Sequence, residues 1–348
     1  MCAAVLASAA CGGGSGGGSG ATEMNMCNFA GDLGTAIKNV AQGFEKKYNV
    51  HINWCTGVGS GSDNLAKVVA AKNNQTYDAT LEDIQSQAQG SAEGAWATLD
   101  PKIVDTSHVY PSLKAHNNDS VPIGIITNDL YYNKDTFAEH GWGPPTSYQD
   151  LLDPKYCNQV GILDIGQSYG LYTILGLGGL TKANAAANNL EPAFQAGLGK
   201  LAAAKGCFPT LEASSGGLEQ KMQTGQYAIG THGSVRVLPL IKKGAPLGAV
   251  IPKEGAFLTL SFISPVKNGP HSRLTQEFCN YFLTEEAQTQ LMKTVYYGPT
   301  VDTVKVSDDL KQLGVVTKEQ IPDLVIPDVD VVTKNRAKWT DDYQRQLG

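Results

Sequence analysis

Short apolar stretches alternate along the chain with longer stretches in which apolar residues recur every three or four positions. MNMCNF predicts a first strand, and the apolar spacing from Leu33 to Tyr48 predicts one apolar face of a helix. VHINW alternates apolar and polar residues and predicts a second strand, and YDATLED predicts a third. This β-α-β-α-β order predicts a mostly parallel sheet with helices on both faces.

The same alternation returns in the second half of the chain. VPIGIITNDLYYN predicts a pair of strands with a turn at Asn128-Asp129, and VGILDI, KGCFPTL, YAIGTH and GAVIP predict further short strands. Helical patterns lie among them at 182–203, 215–224 and 275–294. The sequence has no internal repeat and no long linker past residue 20. This organisation favours two lobes that are joined by strands crossing between them.

The charge balance argues against one class of partner. The chain has 348 residues, a net charge of −6 and a pI near 5.5, without a basic stripe. Nucleic acid is therefore not an expected partner. Beyond the N-terminus, no segment reaches the roughly 18–20 apolar residues of a membrane span.

The N-terminal segment predicts a membrane anchor of another kind. MCAAVLASAAC is apolar with small residues before Cys11, and GGGSGGGSG follows it. The first part resembles the end of a bacterial lipoprotein signal with Cys11 as the lipidated residue, and the second is a flexible tether. A disordered tail without function is the alternative interpretation.

The cysteine spacing indicates disulfides and not a metal site. The cysteines form no C-x-x-C motif and the six histidines no H-x-x-x-H pair, so no metal is expected. Cys27 and Cys55 end two neighbouring predicted strands, while Cys157 and Cys207 flank one small α/β segment. We predict the disulfides Cys27–Cys55 and Cys157–Cys207, with Cys279 as a buried free thiol.

The glycine-rich stretch TGVGSGSDNLAKVV begins a predicted helix. It lacks the Gly-Lys-Ser/Thr ending of a phosphate-binding loop, since Gly61 is followed by Ser62 and Asp63. The dinucleotide fingerprint is poorly matched as well, so no nucleotide cofactor is expected. The stretch stays a polar helix start that can bind another ligand.

Several segments keep an order that is found in one protein family. They are QDLLDPKYCNQVGILDI, EQKMQTGQYAIG, IPKEGAFLTLSFISPVKNGPH and QEFCNYFLTEEAQTQLMKTVYYGPT, and YYNKDTF and GWGPPTSYQDLL fit the same register. Over residues 23–345 the chain resembles the extracellular solute-binding proteins of bacterial ABC importers. The branch that it resembles most holds type 2 periplasmic binding proteins for polyamines, ferric ion, thiamine and aminophosphonates.

This resemblance implies an α/β, two-lobe periplasmic-binding-protein-like fold with a hinge of crossing strands and a ligand cleft between the lobes. It implies a signal remnant and tether at 1–20, a first lobe at 21–122 plus 256–348, and a second lobe at 123–255. It further implies a monomer without catalytic activity or cofactor. Such a protein binds a small-molecule solute in the periplasm or at the cell surface and delivers it to a membrane permease.

The family's ligand classes can be compared with the residues. After the P-x-E-G segment, polyamine binders use carboxylates and a tryptophan, whereas this chain has FLTLS at 257–261. Ferric binders place adjacent tyrosines after the strand here written YAIG, whereas this chain has THGSVR at 231–236. Helix starts rich in serine and glycine, together with Arg236, favour an anionic or zwitterionic solute. A polyamine remains the alternative ligand.

The candidate ligand-binding residues come from the loops at predicted strand ends. The acidic ones could hold an amine, and the neutral donors and Arg236 could hold an anionic group. The set comprises Asp32, Gly59, Ser60, Gly61, Ser62, Glu82, Asp83, Gln167, Ser168, Tyr169, Ser234, Arg236, Thr259 and Ser261. Helix capping is the alternative role for the serines and for Asp32, and Arg236 could equally be a solvated helix residue.

Two functions of other classes stay open at the level of sequence. The first is an enzyme on an α/β scaffold, although the chain has no H-E-x-x-H motif and no recognisable Cys–His arrangement. The second is a surface interaction lipoprotein whose lobes hold no small molecule.

Overall fold

A computed structural model describes residues 21–55, 60–208 and 211–348 of the chain. The strands are β1 (Thr22–Cys27), β2 (Val50–Trp54), β3 (Ala79–Asp83), β4 (Val121–Asn133), β5 (Val160–Gly161), β6 (Ile229–Gly233), β7 (Leu247–Val250) and β8 (Phe257–Pro265). The α-helices are α1 (Gly31–Tyr48), α2 (Gly61–Ala70), α3 (Ile84–Ala92), α4 (Lys134–Glu139), α5 (Ser168–Leu177), α6 (Ala187–Ala203), α7 (Ser215–Gln223), α8 (Ser234–Lys242), α9 (Ser272–Tyr281), α10 (Glu285–Val295), α11 (Asp308–Leu313) and α12 (Val329–Leu347). The predicted signal remnant and tether, Cys11 and Gly59 lie outside the described residues.

One mixed sheet runs through the molecule in the order β2-β1-β3-β8-β4-β6-β5, and β7 also pairs with β4. The pairs of β1 with β2 and β3, and of β5 with β6, are parallel. The long strands β4 and β8 pair antiparallel with each other and with their other neighbours. The prediction of parallel pairing therefore holds at both ends of the sheet and is wrong in the middle, where β4 and β8 cross.

The predicted turn at Asn128-Asp129 is wrong, because β4 continues through both residues. Their backbones pair with Gly233 and His232 of β6. Asn128 Nδ2 donates to the Tyr169 carbonyl oxygen at 3.3 Å, which pairs the donor half of a side chain that usually favours turns. The predicted strand at KGCFPTL is also wrong, since residues 205–207 form a 3₁₀ helix.

Two apolar cores lie on either side of the crossing strands. In the first, the predicted face of α1 is buried, and Phe44 meets Phe278 of α9 edge to face with ring centres 5.1 Å apart. The second packs α5 and α6 against the strands at the other end of the sheet. The first core also includes Leu218 of α7 and Leu238 of α8, so it extends beyond the predicted first lobe. Burial of apolar surface is the main force that stabilises both cores.

The C-terminal helix α12 packs on the second core. Trp339 is fully buried and stacks on Phe194 of α6, with ring centres 4.8 Å apart. Its indole Nε1 donates to Glu191 Oε2 at 2.6 Å. Helix α12 also contacts α3 of the first lobe, so it reaches across both lobes. The lobe boundaries stay a prediction.

Both predicted disulfides are present. Cys27 and Cys55 have Cα atoms 4.9 Å apart, and Cys157 and Cys207 have Cα atoms 4.4 Å apart. Cys279 is a buried free thiol, as predicted. In the described part of the chain, no helix has the length and apolar character needed to cross a membrane. The same residues contain no cluster of metal-ligating side chains.

Candidate ligand-binding site

Three helix starts converge on one cleft between the lobes. Ser60 caps α2, Asp83 caps α3, and Gln167 precedes α5. Helix N-termini carry unpaired backbone N–H groups and a partial positive charge. The cleft has a volume of ≈ 550 Å³, a size suited to a small molecule. It is lined by Ser60, Ser62, Asp83, Gln85, Ser86, Gln89, Gly166, Gln167, Ser168, Val332, Thr333 and Arg336.

Side chains of the two lobes meet directly across this cleft. Ser168 Oγ at the start of α5 donates to Gln85 Oε1 on α3 at 2.6 Å. Gln85 Nε2 in turn donates to the Tyr172 hydroxyl at 3.2 Å. Burial raises the pKa of Tyr172, so its hydroxyl stays protonated at neutral pH. These contacts join α3 to α5, and residues of both predicted lobes line the cleft.

Five of the sequence-predicted residues line the cleft: Ser60, Ser62, Asp83, Gln167 and Ser168. Ser60 also has the capping role that was its alternative interpretation, since its Oγ accepts the Asp63 N–H at 3.2 Å. Gly61 and Tyr169 adjoin lining residues in the chain. The ligand contacts of all these residues stay predictions.

Other predicted residues lie outside the cleft lining. Asp32 is exposed in the first turn of α1, where Ala30 and not Asp32 is the N-cap. Glu82 is buried, accepts a hydrogen bond from Thr80 Oγ1 at 2.9 Å, and has its pKa raised well above the usual range by burial. Thr259 is buried within β8. Their ligand contacts stay untested predictions.

Two further predicted serines are engaged inside the protein. Ser234 Oγ accepts the Thr127 N–H at 3.2 Å, and Ser261 Oγ shares a 2.6 Å hydrogen bond with the Tyr297 hydroxyl. Ser234 is the first residue of α8 and Ser261 lies within β8, so the predicted residues fall partly in the cleft lining and partly in the interior. Sequence position alone cannot separate the two groups.

Arg236, the predicted anion-binding residue, is held by an internal partner. Its Nε donates to Glu219 Oε1 at 2.9 Å, and its side chain is 41% exposed. Glu219 Oε1 also lies 3.4 Å from His232 Nε2. The pKa of Glu219 is lowered by these two neighbours although burial opposes the shift. Arg236 is not among the residues that line the cleft.

The arginine that lines the cleft is Arg336, which was not predicted from the sequence. Arg336 lies on α12, far from any predicted strand end, and no local sequence pattern marks it. Gln85, Ser86 and Gln89 were missed as well, although the polar run IQSQAQ directly after a strand could have indicated them. Burial lowers the pKa of Arg336, and the nearby Tyr172 and Asp83 oppose this shift. A guanidinium remains cationic at neutral pH even so.

The cleft also contains a sequence that resembles a catalytic motif. Residues 166–170 are GQSYG, with the G-x-S-x-G spacing of a nucleophile elbow between a strand and a helix. A nucleophilic serine needs a neighbouring base that accepts its proton. Ser168 instead donates to the Gln85 amide oxygen, which is no base. The contact that Ser168 makes here is therefore a hydrogen bond from α5 to α3, and its role in ligand binding stays a prediction.

Gly61 allows the start of α2 to approach Asp83. A methyl group at Gly61 would lie 2.8 Å from Asp83 Oδ2 and 2.9 Å from Ser86 Oγ. We expect Gly61→Ala to lower the free energy of unfolding by about 1–3 kcal/mol, because backbone must shift to admit the methyl group. Urea unfolding measures the change.

Gly216→Ala is the matched control for this substitution. Gly216 is also near a helix start, in α7, and a methyl group there has no atom within 4 Å. Alanine should stabilise that site by about 0.4–1 kcal/mol, because it restricts the unfolded chain. A stabilising Gly61→Ala would contradict the tight approach between α2 and Asp83.

Comparisons with known proteins agree with this architecture. The model of a family described as bacterial extracellular solute-binding protein matches residues 39–318. The fold is similar to that of the spermidine/putrescine ABC transporter substrate-binding protein PotD from Streptococcus pneumoniae, with 16% identity, a TM-score of 0.75, and coverage of 94% of this chain and 100% of that chain.

Two further solved structures share the fold. Iron-bound HitA from Pseudomonas aeruginosa has 16% identity and a TM-score of 0.74, with coverage of 92% of this chain and 99% of that chain. The periplasmic binding protein AfuA from Actinobacillus pleuropneumoniae, with exogenous fructose-6-phosphate bound, has 19% identity and a TM-score of 0.70, with coverage of 94% and 99%. The neighbours are two-lobe type 2 periplasmic binding proteins, which confirms the predicted fold class.

A comparison with proteins of curated function finds no similar sequence. The family assignment therefore rests on the family model, which spans most of the chain, and the structural neighbours show the fold. Members of such a family work outside the cytoplasm with a small-molecule ligand and an ABC permease. The chain belongs to the bacterial extracellular solute-binding proteins, the solute-binding components of ABC transporters.

Proposed function

We propose that this protein captures a small polar organic solute, anionic or zwitterionic, by closing its lobes around it, and then delivers it to the permease of an ABC importer. It acts as a monomer and performs no catalysis. The observation that carries the proposal is the cleft of ≈ 550 Å³ lined by polar side chains from both lobes. Closure brings Ser168 of one lobe onto Gln85 of the other, so a bound solute would be enclosed.

A polyamine fits this lining less well. Polyamine recognition relies on several carboxylates and an aromatic face. Among the described residues that line the cleft, Asp83 is the only carboxylate and no tryptophan is present, and Arg336 would repel an ammonium group. The structural similarity to PotD supports the fold and leaves the ligand open.

The ligand that remains bound during purification tests the proposal. The protein would be purified from its native host under native conditions, and the bound molecule released by denaturation and identified by mass spectrometry. We expect one small polar molecule, whose titration into stripped protein reduces the radius of gyration in small-angle X-ray scattering. Ligand at about 100 times its Kd should also add about 2.7 kcal/mol of stability.

A matched variant links that molecule to the cleft. Gln167→Ala removes a lining side chain and should weaken binding, whereas Gln226→Ala, on an exposed loop residue before β6, should not. If repeated preparations carry no small molecule and no metabolite in a broad panel shifts the melting temperature, the interpretation as a surface interaction protein replaces this proposal.

We also propose that Cys11 carries a lipid and residues 12–20 serve as the tether to the membrane. The motivation is the sequence before Cys11 and the Gly/Ser run after it. Cys11→Ser is expected to release the protein from the membrane fraction into the soluble fraction of the native host. Cys279→Ser, which changes a buried thiol elsewhere, is the control. Membrane retention of the Cys11→Ser variant would contradict the lipid anchor.

A further inference from the structure

Arg336 lies in the cleft with hydrogen-bonding capacity to spare. Its Nη2 donates to the Ile165 carbonyl oxygen, which holds the guanidinium against the second lobe. Its Nη1 is buried and has no hydrogen-bond partner among the described residues. An unpaired buried guanidinium N–H is costly, whereas a carboxylate, phosphonate or sulfonate group matches its planar donors.

The position of Arg336 is fixed by the fold and not by a mobile loop. Arg336 is one turn away from Trp339, whose buried indole fastens α12 to α6. Side chains three residues apart on a helix lie on the same side. Packing on the second core therefore directs the guanidinium to the cleft, and a site on a packed helix is well preorganised.

Asp83 supplies the opposite charge in the same cleft. Its Oδ1 accepts the backbone N–H groups of Gln85 and Ser86 at 3.0 and 2.9 Å, which fixes the carboxylate at the start of α3. Its Oδ2 is directed to the side of Gly61, where the absence of a side chain leaves room. No ion pair within 4.0 Å joins Asp83 to Arg336 in the described structure.

We propose that the cleft is specific for a zwitterionic solute whose acidic group binds Arg336 and whose ammonium group binds Asp83. This inference rests on the proposed function of solute capture. A solute with only an acidic group would face the unneutralised Asp83 carboxylate, and a solute with only an amine would face Arg336. The serine and glutamine side chains of the same cleft hydrogen-bond to the neutral part of the solute and to N–H groups of the ammonium that Asp83 leaves unpaired.

A panel of matched probes tests the two-ended requirement by calorimetry. It contains the α-amino acids, γ-aminobutyrate, taurine and aminoethylphosphonate, each beside its acid-only and amine-only analogue, for example butyrate and butylamine. We expect at least one zwitterion to bind about tenfold or more tightly than either one-ended analogue, the effect of one lost charge-assisted hydrogen bond. A one-ended probe that binds as tightly, or a panel without any binding zwitterion, overturns the inference.

Two charge-neutralising variants assign each end of that zwitterion. Arg336→Gln should weaken binding of the zwitterion about tenfold to a hundredfold and leave the amine-only analogue unaffected or bound more tightly. Asp83→Asn should weaken the zwitterion similarly and leave the acid-only analogue unaffected or bound more tightly. Asparagine caps helices as well as aspartate does, so α3 should persist. Lys334→Gln removes an exposed charge on the same helix and should change nothing.

The outcomes separate this inference from the proposed function. Unchanged affinity in Arg336→Gln or Asp83→Asn overturns the assignment of that residue. A co-purifying solute that is not zwitterionic overturns the inference but supports solute capture. If no small molecule binds at all, the proposed function fails, and the inference fails with it.

Discussion

Replacing Trp339 by alanine is expected to lower the free energy of unfolding by about 3–5 kcal/mol, the usual cost of deleting a large buried aromatic side chain. Trp339 is fully buried, stacks on Phe194, and donates a hydrogen bond to Glu191. The substitution removes the apolar contact, leaves a cavity against α6 and frees α12 from the second lobe. Urea unfolding followed by circular dichroism measures the loss.

Trp339→Phe separates the two contributions to this effect. Phenylalanine keeps a ring against Phe194 but cannot donate to Glu191, so its cost should be the smaller part of the alanine effect. Glu191 Oε2 loses its indole donor, but the carboxylate is 38% exposed, so water replaces that hydrogen bond and limits the penalty. A loss below about 1 kcal/mol for the alanine variant would contradict the assignment of α12 to the second core.

The general architecture could be predicted from sequence because its determinants are local or repeated. The apolar face of α1 and the strands on either side of it follow from spacing alone, and Cys27 and Cys55 stand at adjacent strand ends. The crossing of β4 and β8 could not be derived in this way. Antiparallel pairing of strands over a hundred residues apart depends on tertiary packing, and Asn128-Asp129 has a composition typical of turns.

The candidate site was predictable where it uses loops at strand ends. Ser60 and Ser168 follow predicted strands and Asp83 ends one, and the structure brings all three to one cleft. Arg336 was not predictable, because its place depends on how the C-terminal helix α12 packs back across both lobes. Arg236 follows a predicted strand and was therefore expected to bind the solute, yet its side chain donates to Glu219 on α7. Glu219 is seventeen residues away in the chain, and no sequence pattern indicated this contact.

The pH dependence of stability should change when Asp129 on β4 becomes asparagine. Asp129 is 2% exposed; its Oδ2 accepts from Thr127 Oγ1 at 2.9 Å, and its Oδ1 has no partner among the described residues. Burial raises the pKa of Asp129 to about 7, although hydrogen bonds from Thr127 and Tyr131 oppose the shift. In the unfolded chain the pKa is about 3.9.

A carboxyl group whose pKa is raised on folding contributes stability that is fully present below its unfolded pKa and is lost as the pH rises to its folded pKa. Between pH of about 4 and 7 Asp129 should therefore cost the wild type about 4 kcal/mol, at about 1.4 kcal/mol per pH unit. An asparagine side chain cannot ionise, so the stability of Asp129→Asn relative to the wild type should rise by that order across the window.

The comparison of the two proteins isolates Asp129 from groups that titrate nearby. His232 pairs with Asp129 across β4 and β6, and burial lowers its pKa. The stability that neutral His232 contributes is lost as the pH falls below about 6.5. This pH dependence is opposite to that of Asp129, whose contribution is lost as the pH rises. Glu82 also has a raised pKa, but it and His232 are present in both proteins and cancel in the difference. Urea unfolding from pH of about 4 to 8 gives that difference directly. A difference that does not vary with pH would mean that Asp129 is ionised throughout, and that its carboxylate is solvated or paired in the folded protein.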